Sequence, residues 1–225
     1  MTRSSCLVVL VALVGCGGIR RYQPGGSVRL DQAAGYEIDD EEIARAFGAR
    51  PQMPTPLNVA YFSFESGHNQ EIESMLSAIE GVEGVYAIPR VMVTGQRRFQ
   101  TAEAGQQLSL RRLRLLAARA QCDVVVVFDY GYRVERRPNG LAVLNILLIP
   151  ALFTPFMDAE VTSYLETHVI DTRNGYVYGQ IESEEEGEQE RLNIWSNADE
   201  ELAEEHWQGL LASTRALLTS VVAEH

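Results

Sequence analysis

The sequence predicts an α/β fold: a single domain running β-α-β-α-β, followed by a β-hairpin and a C-terminal helix on a mixed sheet. Three observations predict it. Asp123 to Phe128 is a continuous, valine-rich apolar run, the pattern of a strand buried on both faces. Apolar residues recur at helical spacing before that run, and again after about Asp199. Arg173-Asn174-Gly175-Tyr176 separates two strand-like runs and is a two-residue hairpin signal, because Asn-Gly tolerates positive φ.

The elements follow in chain order. Met1-Thr2-Arg3 precedes an apolar run from Leu7 to Val14 and a small-residue exit, Gly15-Cys16-Gly17-Gly18. One positive charge, a short apolar core and small residues at its end make residues 1–15 an export signal. The run is too short for a permanent span, which needs about 20 apolar residues to cross roughly 30 Å. Residues 16–56 read as a tether, with Gly17, Gly18, Gly25 and Gly26 at its start and Pro51, Pro54 and Pro56 at its end. Within it, Asp39 to Phe47 fits a short helix whose acids sit at the positive end of its dipole.

The domain proper spans 57–225. Val59 to Phe64 reads as a strand, and Ser66-Gly67-His68-Asn69 breaks it. Ile72, Met75, Leu76 and Ile79 mark a helix that ends between Gly81 and Gly84. Val85 to Ile88 and Arg90 to Val93 read as a second strand, bent or bulged at Pro89. Residues 94–107 are polar loop. Ser109 is placed to cap a helix with Leu110, Leu113, Leu116, Ala117 and Ala120 on one side and Arg111, Arg112, Arg114 and Arg119 on the other. The valine strand then continues as Asp129 to Val134, alternating as it leaves the core. Right-handed crossovers make the first three strands parallel. Glu160 to Asp171 and Tyr176 to Glu182 are the hairpin strands. The closing helix carries Trp207, Leu210, Leu211, Leu217, Leu218 and Val221 as its apolar stripe.

Composition narrows the function classes. The net charge of −12 becomes −13 once Arg3 leaves with the signal, and the chain has no basic patch, so nucleic acid is not an expected partner. The acidic clusters at Asp39 to Glu42 and Glu182 to Glu190, and the arginine group, read as solvated faces. Cys6 leaves with the signal and Cys16 stands at its exit, leaving Cys122 alone as a buried small residue between helix and strand.

No arrangement of an enzyme is found. His68, His168, His206 and His225 share no metal-ligand spacing. His206 reads as solvated and His168 as a half-buried surface residue. Ser63 to His68 contains a serine, yet Gly-x-Ser-x-Gly is absent, as is a phosphate-binding glycine loop. Glu184-Glu185-Glu186 lacks the spacing of a calcium loop. No catalytic residue, metal or cofactor is expected.

The most unusual stretch is Leu141 to Met157, nearly uncharged between Arg136-Arg137-Pro138-Asn139-Gly140 and Asp158. Pro150 would break a helix near its middle. Three readings stand: an insertion packed against the sheet, an exposed apolar loop that meets a partner or the membrane interface, and a transmembrane helix. The exposed loop is the functional reading, with Leu144, Ile146, Leu147, Leu148, Ile149, Leu152, Phe153 and Phe156 as contact residues.

Leu13-Val14-Gly15-Cys16 resembles the lipobox of bacterial lipoproteins. The resemblance implies diacylglyceryl transfer to the Cys16 thiol, cleavage between Gly15 and Cys16, and acylation of the new amino group. The partner through Cys16 is then the lipid bilayer. Gly17 stands where an Asp would retain an enterobacterial lipoprotein in the inner membrane, which implies the periplasmic face of the outer membrane.

Two further pieces, Leu116 to Val127 and Val169-Ile170-Asp171-Thr172-Arg173-Asn174-Gly175-Tyr176-Val177-Tyr178-Gly179, are similar to envelope lipoproteins. The plan resembles the N-terminal domain of the Tol translocation protein and the curli-secretion lipoproteins. Its order, with an apolar segment between the two pieces, resembles the rhombotarget lipoprotein family. The likeness covers about residues 57–185, and Ser220 to His225 reads as the end of a helix, not as an obvious C-terminal sorting tail. It implies a non-catalytic role, assembly or accessory, through contact with another envelope protein. The sheet edge near Glu160 to Asp171 is a second expected contact, able to accept a partner strand. The alternative is an envelope hydrolase or small-ligand receptor, with a pocket at the strand ends near Glu65 to His68, Gly95 and Asp129 to Tyr132.

Overall fold

The computed structural model describes residues 19–22, 40–65, 67–94, 109–138, 157–192 and 198–225. The elements are β1 (Ile19–Tyr22), α1 (Asp40–Gly48), β2 (Leu57–Ser63), α2 (Asn69–Ser77), β3 (Val82–Ala87), α3 (Arg90–Thr94), α4 (Leu110–Arg119), β4 (Val124–Pro138), β5 (Met157–Asp171), β6 (Val177–Leu192) and α5 (Ala198–Glu224). They form one mixed sheet of order β3-β2-β4-β5-β6, with β1 added to β4. The α/β class, the single sheet and the closing helix are as the sequence predicts.

The valine run explains the centre. β4 is flanked by β2, parallel from Val59↔Val124 to Ser63↔Phe128, and by β5, antiparallel along its whole length. Its alternate residues feed two cores. Val124, Val126, Phe128 and Tyr130 pack with α2 and α5 through Ile72, Leu76, Trp207 and Leu210. Val125 and Val127 pack on the other face with Leu113 and Ala117 of α4. Ser109 caps α4 as expected, its Oγ accepting from the Arg112 N–H. Cys122 is buried at the helix-to-strand handover, where burial and then Asp123 push its thiol up to about 11. A thiol in that state is a poor nucleophile.

Several elements differ from the expectation. The second strand stops at Ala87, and Arg90–Thr94 is a short helix. Pro89 has no N–H for the ladder, and its carbonyl accepts instead from Met92 N at 2.9 Å. The hairpin is wider than two residues. Asp171 N donates to Tyr176 O, so residues 172–175 form the loop, with Gly175 at φ 76°. Asp171 Oδ1 accepts from both Arg173 N and Asn174 N, an Asx arrangement that competes with the tighter turn. The returning strand reaches Leu192, so the glutamate run belongs to the sheet, with Glu182, Glu184, Glu186 and Glu188 exposed and Ser183 buried. Pairing along β5 overrides the low strand propensity of glutamate.

The segment read as a spacer contributes to the fold. Ile19–Tyr22 pairs antiparallel with Tyr132–Glu135, taking the edge of β4 that β2 leaves at Phe128. Gln52 N donates to Tyr178 Oη, and Asn174 Nδ2 donates to Arg50 O.

Candidate functional site

Past the end of β2 the chain turns through Phe64, Glu65 and Gly67 into α2. Ser63 Oγ donates to Glu65 O at 2.8 Å, and Glu65 Oε1 accepts from Gly67 N at 3.1 Å. Tyr61 Oη donates to Asn69 O at 3.0 Å, holding the start of α2 on the sheet. Burial and then Glu73 push that phenol up to about 12, so it stays a donor. The result is a fixed position for His68, immediately before α2.

His68 is the hub of the region. Its ring stacks on Trp207 with centroids 4.1 Å apart, and Tyr130 meets it edge-on at 6.0 Å. Nδ1 lies 3.2 Å from Glu71 Oε2 and Nε2 lies 3.6 Å from Glu204 Oε2. Tyr130 Oη donates to Ala203 O at 2.9 Å, tying β4 to α5. His68, Glu71, Tyr130, Ala203 and Glu204 wall an open cleft of about 580 Å³, completed by Glu65, Gly67 and Tyr132. Three carboxylates from three parts of the chain face it, and among the described residues no arginine lines it.

Asp129 is not part of this cleft. It lies between Phe128 and Tyr130 on β4, so it projects to the opposite face, paired across the sheet with Glu166. Desolvation, and then the charge of Glu166, raise its carboxyl to about 7. Glu166 accepts from Gln180 Nε2 at 2.6 Å and lies 3.2 Å from His168 Nε2. His168 is partly buried in the strand, as expected.

Other sequence expectations meet the structure as follows. Gly15, Cys16 and Gly95 lie outside the described residues. So do Leu144, Ile146, Leu147, Leu148, Ile149, Leu152, Phe153 and Phe156; of the apolar run only Met157, the first residue of β5, is described. What is described is where that run leaves and returns, since Pro138 pairs with Met157 at the end of the β4–β5 ribbon. The Glu160 to Asp171 edge is not free, because β5 is paired with β4 on one side and β6 on the other. The hairpin return is long enough to cover it. His206 is not simply solvated: its Nδ1 lies 3.1 Å from Ser163 Oγ, and Gly187 leaves room for its ring. Leu217 falls off the apolar stripe and is 44% exposed.

The arginine face of α4 is also tied in. Arg114 Nε donates to Thr172 O at 3.1 Å and its Nη2 to Arg173 O at 2.8 Å, and Arg111 pairs with Glu42 of α1. Among the described residues no set of His, Cys, Asp and Glu fits a metal ion, and no helix is long and apolar enough to cross a membrane.

No family model and no curated protein sequence matches the chain. Glu71, Ala203 and Glu204 were not legible as cleft residues. They sit at ordinary helix positions, and α5 meets α2 only through the folding of the whole chain.

Proposed function

We propose that this chain is a lipoprotein of the cell envelope, held by acylated Cys16 on the periplasmic face of the outer membrane. Its role is non-catalytic: it binds another envelope component, and the residue 141–157 run is the contact. One observation carries this reading. β1 joins β4 with Ile19 opposite Glu135, and Pro138 stands opposite Met157 at the end of the same ribbon. Cys16 precedes Ile19 by three residues, which span at most about 10 Å of extended chain. The lipid and both ends of the apolar run then share one end of the sheet. Several acyl chains with an adjoining apolar segment hold more firmly than one chain, which is marginal at about 0.8 kcal/mol per buried CH₂.

The test has two arms. Mass spectrometry of the mature chain is expected to find acyl mass on Cys16, and Cys16→Ser is expected to release the protein from membranes. In the acylated chain, replacing Leu147, Leu148 and Leu152 by Ser is expected to abolish crosslinks to the envelope partner while circular dichroism is unchanged. An unmodified chain, or unchanged crosslinks, defeats the respective half.

A second reading, a small-ligand receptor, is favoured by the His68 cleft. His68 and Asp129 lie on opposite faces, so the pocket gathering both that would favour a hydrolase is not formed, and only the receptor half of that alternative is left.

A further inference from the structure

The geometry points to the outer edge of β3 as a surface for a second copy of this chain, whose own β3 pairs with it antiparallel about a two-fold axis at Val85. The inference goes beyond the envelope-binding reading and depends on neither lipidation nor the His68 cleft.

The first argument is the state of the edge. The order β3-β2-β4-β5-β6 leaves β3 and β6 at the two margins of the sheet. Val59, Ala60 and Tyr61 pair in parallel with Val85, Tyr86 and Ala87, and Ile88 N donates to Tyr61 O at 2.8 Å. Backbone groups alternate in direction along a strand, so Tyr86, like Ile88, turns its N–H and C=O toward β2. Val85 and Ala87 turn theirs outward, where no described strand meets them. Such an open row is a template for another strand.

The second argument is that this edge, unlike the other, is complementary to itself. Residues directly opposite in an antiparallel pair lie on one face of the sheet. A two-fold pairing therefore matches even positions with even and odd with odd. On β6, Glu182, Glu184, Glu186 and Glu188 hold the even positions, so every two-fold register within that stretch sets glutamate against glutamate. β3 carries a single charge, Glu83, in a chain of net charge −12. With the axis at Val85, Glu83 stands opposite Ala87 of the second copy, and no like charges meet. Val85 stands opposite Val85, and both outward-turned residues, Val85 and Ala87, enter the ladder. The central pair is of the hydrogen-bonded kind, each Val85 N–H donating to the C=O of the other. Tyr86 then stands opposite Gly84, whose lack of a side chain leaves room for the ring.

The third argument is apolar cover. Tyr86 is exposed, and so are Val91 and Met92 of α3, which begins just past the end of β3. Exposed apolar side chains grouped beside an open edge add burial to a short ladder.

Sedimentation of the full chain in density-matched detergent tests this at micromolar concentration, and a dimer is expected. Val85→Pro removes an outward N–H and no bond to β2, so it is expected to give a monomer with an unchanged thermal melt. Tyr86→Lys is the second variant. It adds charge to the edge, and at least about tenfold weaker association is expected. Oxidative crosslinking reads the register. Val85→Cys is expected to crosslink with itself, since a hydrogen-bonded pair sets Cα atoms about 5.5 Å apart, within disulfide reach. Glu83→Cys is expected to crosslink only when mixed with Ala87→Cys. The parent chain is the blank, and Cys122 is buried. A monomeric parent chain, or a dimer that survives both Val85→Pro and Tyr86→Lys, overturns the proposal. Crosslinking of Glu83→Cys with itself, without crosslinking of Val85→Cys, overturns the axis.

Discussion

The imidazole of His68 lies nearly parallel to the indole of Trp207, 24° between planes and 4.1 Å between centroids, joining the start of α2 to the middle of α5. Trp207 is fully buried and also meets Tyr130 edge-on at 5.1 Å, so one ring links two helices and the central strand. α5 buries its apolar stripe against the sheet through this contact, which makes Trp207 a structural centre beneath His68.

Trp207→Ala is expected to cost about 3–5 kcal/mol, since it removes a large buried ring and leaves a cavity. His68→Phe keeps a ring against the indole and loses only the contacts to Glu71 and Glu204, so a cost below about 1.5 kcal/mol is expected. Urea denaturation followed by circular dichroism measures both. Equal costs would mean that the carboxylate contacts, not the ring stack, hold the helices together.

Asp129 makes stability depend on pH. Its folded-state pKa is raised from 3.8 to about 7, by desolvation first and by Glu166 second. Between those values the native state binds a proton that the unfolded state has released. Stability is therefore lost as pH rises through that window, and the cost is complete above it. Asp129→Asn is expected to stabilise the protein above neutrality, by on the order of 1–4 kcal/mol, and to change nothing below about pH 4. Chemical denaturation at several pH values reads this directly. A variant destabilised at high pH would refute the assignment.

Gly175 adopts φ 76°, and a Cβ there would meet the Arg114 guanidinium at 2.8 Å. Gly175→Ala is expected to cost about 1–2 kcal/mol from backbone conformation alone. Arg114→Ala, which removes the donors to Thr172 O and Arg173 O, is expected to cost on the order of 1–3 kcal/mol. Because both act on one loop, the double variant is expected to cost less than the two single changes added together. Full additivity in thermal unfolding would separate the turn from the helix.

Much of the fold was legible from local pattern. The valine run located β4, Ser109 located the start of α4, and the Trp207 stripe located α5. Where neighbours in space outweighed local preference, the pattern failed. The returning strand was expected to end at Glu182, yet pairing with β5 carries β6 on to Leu192, with Glu182, Glu184, Glu186 and Glu188 on its solvated side as expected. Pro89 turned an expected strand into helix because it removed a ladder donor. Half of the cleft was legible: Glu65, His68, Tyr130 and Tyr132 lie at the strand ends that the β-α-β order marks out. The rest comes from Glu71 of α2 and from Ala203 and Glu204 of α5, and nothing in their local sequence announces it.

By itself, the sequence determined what depends on short range: the α/β class, the parallel order of the strands from Val59 to Phe128, and the buried state of Cys122. Tertiary structure alone decided that β1 joins β4, that Asp129 and His68 face opposite ways, and that Glu204 joins Glu65 and Glu71 at one cleft. The physical reason is that hydrogen-bond register and helix packing are set by contacts across the sheet. Side-chain direction alternates with each residue along a strand, so one step from Asp129 to Tyr130 separates a buried carboxylate from the cleft.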